Sequence, residues 1–144
     1  MADIIRRLPI DIVQRIIPYT YELQNMILLR DIENYGKTKE TIGRLYYYYW
    51  SPYYFPNDKE PDREQLLRDI CKYANNGIRM HYGYMNHFYN ICFRSFQINT
   101  EADVFEFMDR LQYSSIDSQI NFFWGIFTPA ERERFIYRRQ KKMR

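Results

Sequence analysis

Apolar residues recur along most of this chain at intervals of three and four, the spacing of one face of an α-helix. In LPIDIVQRII, residues 8–17, Leu8, Ile12 and Ile16 form one stripe and Ile10, Val13 and Ile17 its neighbour, with Pro9 suited to a first turn and Pro18 enforcing a stop. The segment ELQNMILLRDIENYG sets Leu23, Met26 and Ile27 in register with Leu28, Ile32 and Tyr35, and Gly36 predicts its end. Thr38 is placed to cap a third helix, TKETIGRLYYYYW, with Ile42, Leu45, Tyr46 and Tyr49 facing inward. Pro52, Pro56 and Pro61 then predict an irregular connection through SPYYFPNDKEP, the main loop of the chain.

Beyond it, residues 62–77 read as a helix with Asp62 as N-cap, Leu66, Ile70 and Tyr73 inward and Asn76-Gly77 as the stop. IRMHYGY permits a short strand, whereas Tyr84, Phe88 and Ile91 share a helical face. Thr100 followed by Asp103 opens another helix, whose buried stripe is Val104, Met108 and Leu111, widened by Phe105. Ile120, Phe123, Trp124 and Phe127 are in register in the next, with Gly125 as its weak point. The sharpest start is Thr128-Pro129-Ala130-Glu131, where a hydroxyl caps, a proline sits at N1 and the N3 carboxylate turns back, giving a helix at least to Arg139. No hairpin signal or strand–helix alternation occurs, so the expected fold is all-α: an irregular bundle of about six to seven short helices with a Pro- and aromatic-rich loop, in a single domain over residues 1–144.

One octet occurs twice. LLRDIENY at 28–35 and LLRDICKY at 66–73 agree at six of eight positions, 38 residues apart. Two copies do not make a solenoid; they fit either a duplicated packing logic or a chance match between amphipathic helices.

Composition shifts attention from the core to the surface. Eight of the ten residues in YYYYWSPYYF, 46–55, are aromatic, too many for one helix to turn towards one core. Tyr and Trp gain strongly from contact with a partner while tolerating partial exposure, so Tyr47, Tyr48, Tyr53, Tyr54 and Phe55 are candidate partner-binding residues. The alternative is that Tyr46, Tyr49, Trp50 and Phe55 fill the core while the other rings lie at the surface. The net charge of +3 is a property of the C-terminal end, where residues 128–144 carry seven basic side chains against Glu131 and Glu133. Arg138, Arg139, Lys141 and Lys142 therefore suit an acidic protein face, or simply oppose a helix macrodipole.

No chemistry is legible beside this. Five scattered glycines form neither GxGxxG nor a P-loop, which leaves no phosphate cradle and no nucleotide cofactor to expect. Cys71, His81, His87 and Cys92 lack the short spacings of a zinc knuckle, and no signature pairs a cysteine nucleophile with a histidine. Glu101, Asp103, Glu106 and Asp109 read as a solvated helix face. Nucleic acid is disfavoured because Asp58, Glu60 and Asp62 flank the aromatic run against only Lys59 and Arg63. Two cysteines and a start without a leader pattern predict an intracellular chain, and no stretch reaches the ~18 apolar residues of a membrane span.

LPIDIVQRIIPYTYELQ with LLRDIENYGKTKETI, and the late QINFFWGIFTPAERERFI, resemble small proteins encoded by nucleocytoplasmic large DNA viruses. That resemblance implies a non-enzymatic virion component, a minor capsid or scaffold-linking protein whose partners are other viral structural proteins, including a major capsid protein, and which passes through the host cytoplasm at the virus factory before assembly. Residues 8–50 also resemble an F-box, in which a Leu-Pro start leads into helices that dock on a ubiquitin-ligase adaptor. This implies the second expectation, an adaptor that recruits host ligase machinery through Leu8, Pro9, Ile12 and Ile16. Residues 128–144 are the basic C-terminal helix in either case.

Overall fold

A computed structural model describes residues 9–12, 14, 25–54 and 62–143, with 48–54 as backbone. The chain divides into two compact units, Met1–Ile32 and Glu33–Arg144. Among the described residues the fold is an all-α irregular bundle without strands. Residues 10–12 and 14 are helical. The longer helices are α1 (Met26–Tyr54), α2 (Arg63–Ala74), α3 (Asn86–Cys92), α4 (Glu101–Leu111), α5 (Ile116–Ile126) and α6 (Pro129–Lys142), with a 3₁₀ turn at Met80–Tyr82.

The largest departure from the sequence expectation is α1. Gly36 does not end a helix, Thr38 does not start one, and Pro52 lies inside the last turn of a single 29-residue element. A mid-helix glycine costs about 1 kcal/mol, a local term that tertiary bonding exceeds. The Thr38 hydroxyl donates to the Asn34 carbonyl at 2.6 Å and accepts the indole N–H of buried Trp124 at 3.1 Å, so the residue ties α1 to α5. Pro52 has no N–H to give the i−4 carbonyl, and the helix runs only two residues beyond it. Ile42 and Tyr46 are buried as their stripe predicts, and Leu45 packs against them. Pro18, Leu8, Val13, Ile16, Ile17, Leu23, Phe55, Pro56 and Pro61 lie outside the described residues, as does the rest of the expected loop beyond Tyr54.

The remaining helices form where local chemistry places them. Asp62 accepts from the Gln65 amide at 2.9 Å, and α2 stops at Asn75 with Asn76 and Gly77 both at positive φ. The buried Asn75 side chain then shapes the turn, donating to the carbonyls of Ile78 and Gly83 and accepting the Met85 amide at 2.7 Å. IRMHYGY therefore forms a 3₁₀ turn in place of the permitted strand. Thr100–Asp103 and Thr128–Glu131 both close reciprocal capping boxes, and Ser115 caps α5. Phe105 does not widen the buried stripe of α4; it is exposed and lies 5.2 Å from the Tyr84 ring.

Helix α5 is the centre of the bundle. Ile120, Phe123 and Trp124, with Phe127 just beyond, meet Leu66 and Ile70 of α2, Phe88 and Ile91 of α3, Val104 of α4 and Phe135 of α6 in one continuous core. Two arginines fix α6 upon it. Arg132 is fully buried and its Nε–H donates to the Trp124 carbonyl at 2.8 Å, satisfying a helix-end acceptor that would otherwise be orphaned. Seven residues later, Arg139 Nη1 lies 3.0 Å from Asp69 Oδ2, and the Tyr46 hydroxyl donates to the same oxygen at 2.6 Å. Burial first, and then the bond to Asp69, push the Tyr46 phenol far above its ordinary value, so it stays a donor.

The two copies of the repeated octet diverge in packing. Leu66 and Ile70 are 4% and 0% exposed, whereas Leu28 and Ile32 are 54% and 57% exposed. The tyrosine of each copy lies under an arginine of α6, Arg132 over Tyr35 at 5.4 Å and Arg138 over Tyr73 at 5.6 Å.

Replacing Asp69 with alanine leaves the Arg139 charge without its partner and the Tyr46 hydroxyl without an acceptor. We expect a loss of about 3 kcal/mol in urea unfolding. A pH dependence follows from Glu131, which receives Arg94 at 2.6 and 2.9 Å and the Thr128 amide at 2.9 Å. Burial raises its pKa, but the bonds from Arg94 and Thr128 together outweigh burial and hold it below the ordinary value. The stabilisation is complete above the unfolded carboxyl value near ~4.3 and disappears as pH falls through the folded one. The thermal midpoint should therefore drop on acidification from about pH 5 to about pH 3, and less so in Glu131→Gln.

Candidate functional site

Two surface features are not consumed by the fold. The first belongs to the unit Met1–Ile32, where Ile10, Ile12, Met26, Ile27, Leu28, Leu29 and Ile32 are all exposed. Ile10 is 78% and Ile27 76% exposed, so neither side chain contributes to a core. The apolar residues at 26–29 follow one another without a polar interruption, which distributes them around the helix and leaves a face that no inward stripe can absorb.

The second is a cleft of about 410 Å³ between the C-terminal ends of α2 and α6. Its cations are Lys72, Arg138, Arg139, Lys141 and Lys142, and its floor is Tyr73 and Phe135 with the Asp69 carboxylate beside them. The edge-to-face contact between Tyr73 and Phe135, at 5.4 Å, brings the two helix ends together. Gly77, at the stop of α2, completes the rim.

The residues singled out by sequence distribute unevenly over these features. Arg138, Lys141 and Lys142 are exposed and line the cleft. Arg139 lines it too, but its side chain is only 17% exposed and paired with Asp69, so its first role is to hold α6 in place. Tyr47 is half-buried on α1. Tyr48, Tyr53 and Tyr54 belong to α1 and not to a loop, and their side chains, like Phe55 as a whole, lie outside the described residues. Lys72 and Tyr73 were not expected at the site. Nothing in the order of the chain pairs them with residues 138–142; the contact of Tyr73 with Phe135 does.

The thiols offer little nucleophilic character. Cys71 and Cys92 are both free, and burial pushes each up to about 12, with the neighbouring Cys92 adding to the effect on Cys71. His81 lies against Tyr82 at the exposed 3₁₀ turn, ring centroids 4.0 Å apart, and His87 is exposed on α3. Among the described residues no three of His, Cys, Asp and Glu converge on a common point. Nor is any described helix long and apolar enough to cross a membrane.

Comparison with family models, with curated proteins and with solved structures finds no match.

Both thiols should accordingly alkylate slowly. Iodoacetamide modification at neutral pH, followed by intact mass, is expected to run more than about a hundredfold slower in the native protein than in urea.

Proposed function

We propose that this protein is a non-enzymatic interaction protein, and that its place is structural: a minor capsid or scaffold-linking component of a virion, held between larger viral proteins after passage through the host cytoplasm. The observation that carries this reading is the exposed apolar set Ile10, Ile12, Met26, Ile27, Leu28, Leu29 and Ile32. Exposed apolar side chains in this number, four of them consecutive at 26–29, favour being covered, and a permanent assembly is where such cover is constant. The viral assignment adds to it the resemblance of residues 8–50 and 118–137 to small proteins of large DNA viruses. The binding of other structural proteins, a major capsid protein among them, follows from that placement.

A second reading has its own support. Pro9, Ile10 and Ile12 are exposed, as an F-box-like segment docking on a ubiquitin-ligase adaptor would need.

Mass spectrometry of gradient-purified particles separates the two. The structural role predicts the protein in intact virions at a fixed ratio to the capsid protein, with incorporation lost in Ile27→Asp/Ile32→Asp while far-UV circular dichroism is unchanged. Absence from particles despite late expression would exclude it. Recovery of ubiquitin-ligase subunits from host lysate, abolished by Pro9→Ala/Ile12→Ala, would establish the adaptor in its place.

A further inference from the structure

The last turn of α6 carries more positive charge than the fold uses. Arg139 is neutralised by Asp69. Arg138 rests on the Tyr73 ring but is exposed, and Lys72, Lys141 and Lys142 are exposed as well. No carboxylate among the described residues lies within 4.0 Å of these four cations. A helix C-terminus presents roughly half a negative charge, so the ends of α2 and α6 together answer about one of the four. The remainder repel one another around a shared concavity, and an anion placed there would relieve that repulsion.

The form of the cleft narrows the anion. Recognition of a phosphate group favours converging backbone amides, as at a helix N-terminus. Here the amides are already used: those of Gly77, Asn76 and Met143 donate to the carbonyls of Lys72, Tyr73 and Arg139. Nucleic acid favours an open ring on which a base can stack. Phe135 is buried, and Tyr73 is covered by Arg138 while packing edge-to-face against Phe127 and Phe135. What the cleft does offer is several charged groups on long, flexible stems, each able to meet a separate carboxylate.

We propose that this cleft binds an acidic segment of the partner protein, a short run of Asp and Glu side chains that pair with Lys72, Arg138, Lys141 and Lys142. The proposal rests on the interaction reading above and adds to it the chemistry of the partner.

A labelled oligo-glutamate peptide, followed by fluorescence anisotropy with the purified full chain, tests it. Binding is expected, weakened by added salt and lost with an oligo-glutamine peptide. Lys72→Gln/Arg138→Gln/Lys141→Gln/Lys142→Gln should weaken it by about tenfold or more, and Lys141→Gln or Lys142→Gln alone by about two- to threefold. The single variants lie on the terminal turn, beyond the buried contacts of α6, and report even if the fourfold variant folds poorly. Arg30→Gln/Lys37→Gln/Arg44→Gln/Arg110→Gln removes the same charge elsewhere and should change affinity less than about twofold. Absence of binding, equal weakening by both fourfold variants, or tighter binding of a single-stranded oligonucleotide of equal charge would each overturn the proposal. Virion incorporation without peptide binding would remove the cleft assignment alone, and peptide binding without incorporation would remove only the virion.

Discussion

A single carboxylate, Asp69, holds the arrangement of α1, α2 and α6. It accepts from Tyr46 at 2.6 Å and pairs with Arg139 at 3.0 Å, and a buried carboxylate without such partners would cost several kcal/mol. Arg132 acts two turns earlier on the same helix by donating to the buried Trp124 carbonyl at the end of α5. Helix α6 is thus pinned at two points about 10 Å apart along its axis. Between them Phe135 enters the core against Trp124 and Tyr73. Because Arg139 is the second pin, the direction in which the basic turn leaves the bundle is set by the core and not by the solvent.

How far the chain could be read before its structure was known depended on the range of each interaction. The caps at Asp62, Thr100, Ser115 and Thr128 join residues three apart, and of these Asp62, Thr100 and Thr128 could be named from the sequence. The stripes Leu66–Ile70, Phe88–Ile91 and Ile120–Phe123–Trp124 were equally legible, because helical period decides them. Gly36 and Thr38 misled for the opposite reason. Their local preference is to interrupt a helix, and a partner 86 residues away, Trp124, uses Thr38 inside one. Arg139 illustrates the same limit at the site, since composition makes it a surface cation and only the fold supplies Asp69 beside Tyr46.

The repeated octet shows how one local sequence can serve two surroundings. LLRDICKY places Leu66 and Ile70 under α5 and lends Asp69 to the α6 pin, while LLRDIENY leaves Leu28 and Ile32 in contact with water. Equal amphipathicity does not imply equal burial; the difference lies in what the rest of the chain brings up against each copy. The apolar residues of the first copy and the cations of the cleft are therefore surfaces of different character. One gains by excluding water from hydrocarbon, and the other by charge pairing that salt can screen.

The buried anchoring of α6 ends at Arg139, yet the helix continues to Lys142. Its final turn is thereby released from structural duty. Residues there can be exchanged at little penalty to folding, so the charge that this turn adds to the cleft is set independently of the hydrophobic interior.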